Sequence, residues 1–163
     1  MSSPSSADES APAVTVLLDQ GVPRGAEAEL KEALADLGFA PEVKEFPTTR
    51  DPVSLGLLGL MMLPLKGFLE AAGTSLGEQA MAKFKQGVTR ILHRNAADPA
   101  SAAAAKPLVL LDSATGIRVF FEPDLPDEAY RALPKLDLGS FLIGPVHWDR
   151  ALGRWRSIAD EAL

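Results

Sequence analysis

The chain has 163 residues, 23% of them charged, a formal net charge of -6 and no cysteine. This length suits one domain with its own core. The acidic balance argues against broad nucleic-acid binding, which needs a surplus of lysine and arginine on one face. The lack of cysteine excludes disulfides, thiolate nucleophiles and cysteine metal sites, and fits the reducing cytoplasm.

The opening "MSSPSSADESAPA" holds serine, proline and acids without an apolar core, so it reads as neither a secretory nor a mitochondrial leader. Residues 1–12 are expected to be a disordered tail, and 13–163 a single domain. "AVTVLL" (13–18) is a β-branched apolar run and reads as a buried strand. In 26–37, Leu30, Leu34 and Leu37 recur at helical spacing among acids and Lys31, with Gly38 placed as the cap. "PEVKEF" (41–46) reads as a half-exposed strand, which completes a β-α-β opening.

"VSLGLLGLMMLPLKGFLEAAG" (53–73) runs from Val53 to Leu65 without a charge. Asp51 as N-cap and Pro52 at the first helical position predict a helix here, kinked, ended or divided in two near Pro64. The uncharged part spans about 21 Å as helix, short of a hydrocarbon core of about 30 Å. A helix apolar on all sides needs cover on all sides. The candidates are the centre of this fold, an interface with a partner or second subunit, and a membrane surface.

A second helix is expected over 76–94, with Leu76, Ala80, Phe84, Val88, Ile91 and Leu92 on one stripe. Its polar side carries Lys83, Lys85, Arg90 and Arg94 against Glu78, a local charge of +3, four positive less one negative. Residues 95–107 are alanine-rich and read as a flexible loop. "LVLLDSATGIRVFFEP" reads as strand, turn and strand, with Asp112 opening the turn and Gly116 supplying positive φ. A short helix follows over 126–133, with acids in its first turn. "VHWDRALGRWR" repeats the spacing of "VLLDSATGIRV", Asp149 and Gly153 matching Asp112 and Gly116, through shared turn chemistry or internal duplication. The whole predicts an α+β fold of order β-α-β-α-α-β-β-α-β-β, with a mostly antiparallel sheet, a central apolar helix and a basic amphipathic helix.

No motif carries catalysis. His93 and His147 belong to no metal-spaced pair. Glu122, Asp124, Asp127 and Glu128 cluster at a helix start, where acids are favoured with or without a cation. "GVPRG" lacks the lysine and hydroxyl of a phosphate loop, and Gly56 and Gly59 read as close-packing points. No metal, cofactor or catalytic residue is expected. Trp148 and Trp155, interleaved with Arg150, Arg154 and Arg156, are either caps on the core or anchors of a binding face, the types commonest at interfaces.

The order β-α-β, "DPVSLG" (51–56) opening an apolar helix, and then a cationic helix resembles the small effector-associated components encoded beside protease or caspase-like effectors in actinobacterial conflict systems. The resemblance spans 13–94 and implies an adaptor-like module. The expectation is therefore a non-enzymatic interaction or regulatory module of the cytoplasm, acting by self-association or by binding a larger protein. Trp148, Arg150, Arg154 and Trp155 form one expected face. Leu57, Leu60 and Met61 with Lys83, Lys85 and Arg90 form a second, meeting a partner or an anionic membrane surface. The alternatives are a peripheral membrane protein that inserts 53–68, and a small enzyme whose pocket draws on Glu122, Asp124, Tyr130 and His147.

Overall fold

Two β-α-β crossovers laid side by side in opposite directions build the sheet. The computed structural model describes residues 11–19, 22, 25–45, 59–74, 77–96 (backbone alone for 93–96) and 107–162. In the first crossover, β1 (Ala13–Leu18) passes through α1 (Ala28–Asp36) to β2 (Ala40–Glu45), a parallel pair with Val16 opposite Val43. The second runs from β3 (Gly59–Leu63) through α2 (Leu65–Ala72) and α3 (Gly77–Ala96) to β4 (Leu108–Asp112), also parallel, with Met61 opposite Leu110. β1 and β3 join the two units antiparallel. β5 (Arg118–Phe121) returns antiparallel on β4, giving the order β2-β1-β3-β4-β5.

After β5 come α4 (Asp127–Ala132), two single 3₁₀ turns, the hairpin β6 (His147–Asp149) and β7 (Arg154–Arg156), and the short α5 (Ile158–Glu161). Val146 extends the β5 edge, donating to the Arg118 carbonyl at 2.8 Å and accepting from Phe120 N–H at 3.0 Å. Both hairpin turns close alike: the N–H groups of Gly116 and Gly153 each donate to the carbonyl of the aspartate four residues before, at 2.8 Å. Both glycines have positive φ, 79° and 62°. The matching spacing of the two segments therefore reflects a common turn geometry.

One face of the sheet is covered. Val14, Val16, Leu18, Met61, Leu63, Leu108, Leu110, Val119 and Phe121 point to the helices and are buried. A chain of rings crosses this layer, Phe39 to Phe68, Phe84, Phe121 and Trp155. Burying each of the largest members, such as Phe84, stabilises the fold by about 2–3 kcal/mol. Gly59 lies in this layer because a Cβ there would sit 2.5 Å from Leu108 Cδ1.

The α+β class and most of the element order match expectation, and the main difference lies at Pro64. The apolar run expected as a single helix is a strand, Pro64 and a helix. Proline pushes the residue before it toward extended backbone, so Leu63 closes β3 while Pro64 opens α2. The added strand brings the second crossover, and the sheet is mixed, with two parallel and two antiparallel pairings in its five strands. Within the described part of 53–68 the single expected helix is replaced: residues 59–63 lie mid-sheet and Phe68 is fully buried. Among the described residues no helix is long and apolar enough to cross a membrane. Leu57, "DPVSLG" and most of the loop expected over 95–107 lie outside the described residues.

Candidate functional site

Of the cations expected on the basic helix, Lys83, Lys85 and Arg90 are each matched by an acid from a neighbouring helix, and the Arg94 side chain lies outside the described residues. Gly87 lets α1 approach α3 so closely that a Cβ there would lie 2.7 Å from Leu30 N. Across this contact Lys83 Nζ reaches Glu32 Oε1 at 3.0 Å and Asp36 Oδ2 at 2.9 Å, and Arg90 reaches Glu29 Oε1 at 2.9 Å. Bonding to Asp36 and then Glu32 raises the Lys83 pKa above the ordinary lysine value. Lys85 pairs with Asp127 of α4 and sits 5.9 Å above the Tyr130 ring. Hydrogen bonding to Lys85 holds the Asp127 carboxyl below the usual carboxylate range. The stripe is an ion-paired seam between helices, its side chains partly exposed.

The tryptophan pair divides. Trp155 is 7% exposed, its indole N–H donates to the Ala129 carbonyl at 2.9 Å, and its ring meets Phe121 and Trp148 edge-on. Trp148 is half-buried against the same core. Arg150 turns to Asp124, bonding its carboxylate and its carbonyl, each at 2.8 Å, while Arg154 faces Glu161 at 3.4 Å. Arg156 bridges Asp149 and Glu161. Hydrogen bonding to Arg156 draws the Asp149 carboxyl below its ordinary range. Of the residues expected to form a binding face, Trp155 lies in the core, Trp148 is half-buried, and Arg150 and Arg154 are exposed and ion-paired.

A groove of about 690 Å³ opens between α2, α3 and α4, lined by Ala72, Met81 and Tyr130 together with Lys85, Arg131 and Lys135. Burial pushes the Tyr130 hydroxyl up to about 12, so it remains protonated at neutral pH. The four residues suggested for an enzyme pocket occupy separate surroundings. Tyr130 lines this groove, Asp124 pairs with Arg150, His147 stacks on Phe120 at 4.7 Å, and Glu122 is exposed. Among the described residues no three metal-ligating side chains converge.

The second face of the sheet differs from all of these. Strand register aligns Lys44, Leu17, Leu60, Val109 and Phe120 in one row across it, and Glu42, Thr15, Met62, Leu111 and Arg118 in the next. Six of these ten side chains are apolar. Val109 is buried, Leu17, Leu60, Leu111 and Phe120 are half-buried, and Met62 is 39% exposed. None of the six belongs to the hydrophobic cluster under the helices. Of the second expected face, Leu60 lies here, whereas Met61 points into the core and Lys83, Lys85 and Arg90 are engaged in the seam.

A smaller apolar projection carries Leu142 and Ile143, exposed at 78% and 57%. Asp160 fixes it by accepting hydrogen bonds from the N–H groups of Leu142, Ile143 and Gly144 at 3.2, 2.8 and 3.2 Å. The result is a two-layer α+β domain with an apolar face turned away from its helices. No family model matches the chain, and no curated protein or solved structure matches it.

Proposed function

We propose that the chain is a non-enzymatic interaction module of the cytoplasm, working by self-association or by binding a larger protein, and that the open sheet face is its contact surface. One observation carries this reading. β3 and β4, read as "GLMML" and "LVLLD", are apolar on both sides, a pattern of strands covered on both faces, and among the described residues helices α1 to α4 cover one of them. Apolar residues gathered in two adjoining rows, with charges confined to their ends, have the composition of an interface centre with a polar rim. The adaptor role implied by the conflict-system resemblance agrees with this in kind.

The test is a photo-crosslinking side chain placed at Met62 in cells. Protein adducts should form there and not with the same group at Gln86, which is exposed on α3. Absence of protein adducts at position 62 overturns the reading.

A further inference from the structure

Resting on that reading, we infer that the occupant of the open face is a second copy of this chain, packed sheet against sheet about a twofold axis running along β3. The argument lies in the charges. The row through Met62 begins with Glu42 on β2 and ends with Arg118 on β5, both exposed. β3 is the third of five strands, so each end lies about 10 Å from the centre at the usual strand spacing. A twofold axis along β3 places Met62 against Met62 of the second copy and exchanges the ends. Glu42 then faces Arg118 of the second copy, and Arg118 faces its Glu42.

In the neighbouring row the same operation sets Leu60 against Leu60, while Val109 is already buried within the chain and the Phe120 ring is stacked by its own His147. Facing sheets lie about 10 Å apart and turn by about 30°, which offsets the row ends by about 5 Å, within reach of an arginine. The other twofold axis in the plane, along the row, sets Glu42 on Glu42 and Arg118 on Arg118. Charge thus selects one orientation. The same patch serves both copies, so the assembly closes as a dimer.

Growth through the sheet edges is blocked. β2 carries Pro41, Glu42, Lys44 and Glu45, and Val146 occupies the backbone positions beside β5.

Sedimentation velocity of the full-length protein tests this, with Glu42→Arg and Arg118→Glu made singly, combined, and mixed with each other. The wild type should form a dimer. Each single reversal sets like charges together at both contacts and should weaken association about tenfold or more. The combined variant should dimerise again, and an equimolar mixture of the two singles should form a heterodimer, since every contact then pairs opposite charges. Circular dichroism should stay unchanged throughout, because both positions are exposed.

A monomeric wild type overturns the inference. If Met62 crosslinks to a different protein in cells, the contact-surface reading survives that failure; if it crosslinks to nothing, both fall. A dimer indifferent to the reversals, or singles that do not recover on mixing, overturns this geometry.

Discussion

Asp112, at the end of β4, accepts a hydrogen bond from the backbone N–H of Leu65, 47 residues earlier, at 3.1 Å. Pro64 offers α2 no side-chain cap, so a carboxylate from another strand satisfies an N–H of its first turn. The same carboxylate accepts from Ala114 N–H at 3.3 Å and Thr115 Oγ1 at 2.6 Å. One side chain thereby ties the second crossover to the β4–β5 turn.

Asp112→Ala leaves these donors unmatched in a site where Asp112 is 3% exposed, and should cost about 2–3 kcal/mol in urea unfolding. Asp112→Asn retains one acceptor oxygen and should cost less.

Burial pushes the Asp112 carboxyl up, but the bonds from Thr115, Leu65 and Ala114 together outweigh it and hold the pKa below the ordinary value. A pKa lower in the folded state means that the unfolded chain binds more protons in acid. The stabilisation is complete above the unfolded carboxyl pKa of about 3.9 and is lost as pH falls through the folded value. The thermal midpoint should therefore be nearly level from neutral pH to about pH 5 and fall steeply below about pH 4, with a smaller acid decline in Asp112→Asn.

Trp155 and Arg150 should separate sharply under substitution. Trp155→Ala removes a ring from the core and frees the Ala129 carbonyl, so a loss of about 3–5 kcal/mol is expected in denaturant unfolding. Arg150→Ala breaks a pair with a half-exposed guanidinium and should change stability by about 0.5 kcal/mol or less.

Two helix glycines should respond in opposite directions to alanine. At Gly67 of α2 nothing lies within 4 Å of an added Cβ, and Gly67→Ala should stabilise by about 0.5–1 kcal/mol. At Gly87 the new Cβ would lie 2.7 Å from Leu30 N, so α1 must move. Gly87→Ala should destabilise by about 1–3 kcal/mol and, by separating α1 from α3, weaken the Lys83 and Arg90 ion pairs. Thermal unfolding of both variants checks this.

Asp160 should control the Leu142 and Ile143 projection without controlling the fold. Burial raises its carboxyl pKa, but bonds from Ile143, Gly144, Ser157 and Leu142 outweigh burial and leave it below the ordinary range. In Asp160→Ala, amide exchange at Leu142, Ile143 and Gly144 should accelerate while that at Val16 and Leu110 in the sheet stays unchanged.

The elements with a clear period were legible in the sequence. Leu30 and Leu34 marked α1, Phe84 and Val88 marked α3, and Asp112 and Gly116 marked their hairpin, because each pattern follows local geometry. Residues 59–63 were not legible as a strand. "GLMML" has no polar residue to betray a period of two, and Asp51 and Pro52 supplied a competing helix start. The pre-proline position of Leu63 was the available contrary signal.

The apparent basic patch had a signal too. Glu29, Glu32 and Asp36 form a helical stripe complementary to Lys83 and Arg90, and pairing the two stripes would have neutralised it. The open face was not legible, since Leu17, Met62 and Leu111 resemble core residues until strand register aligns them away from the helices.

Adjacent methionines offer the most direct test of the open face as a self-contact surface. Met61 is 0% exposed and Met62 is 39% exposed, on opposite sides of β3. Oxidation by peroxide should be measured for both by mass spectrometry, in dilute and in concentrated full-length protein. The account predicts an unreactive Met61 throughout, and a Met62 that oxidises when dilute and is protected when concentrated. Equal oxidation of Met62 at both concentrations would contradict it.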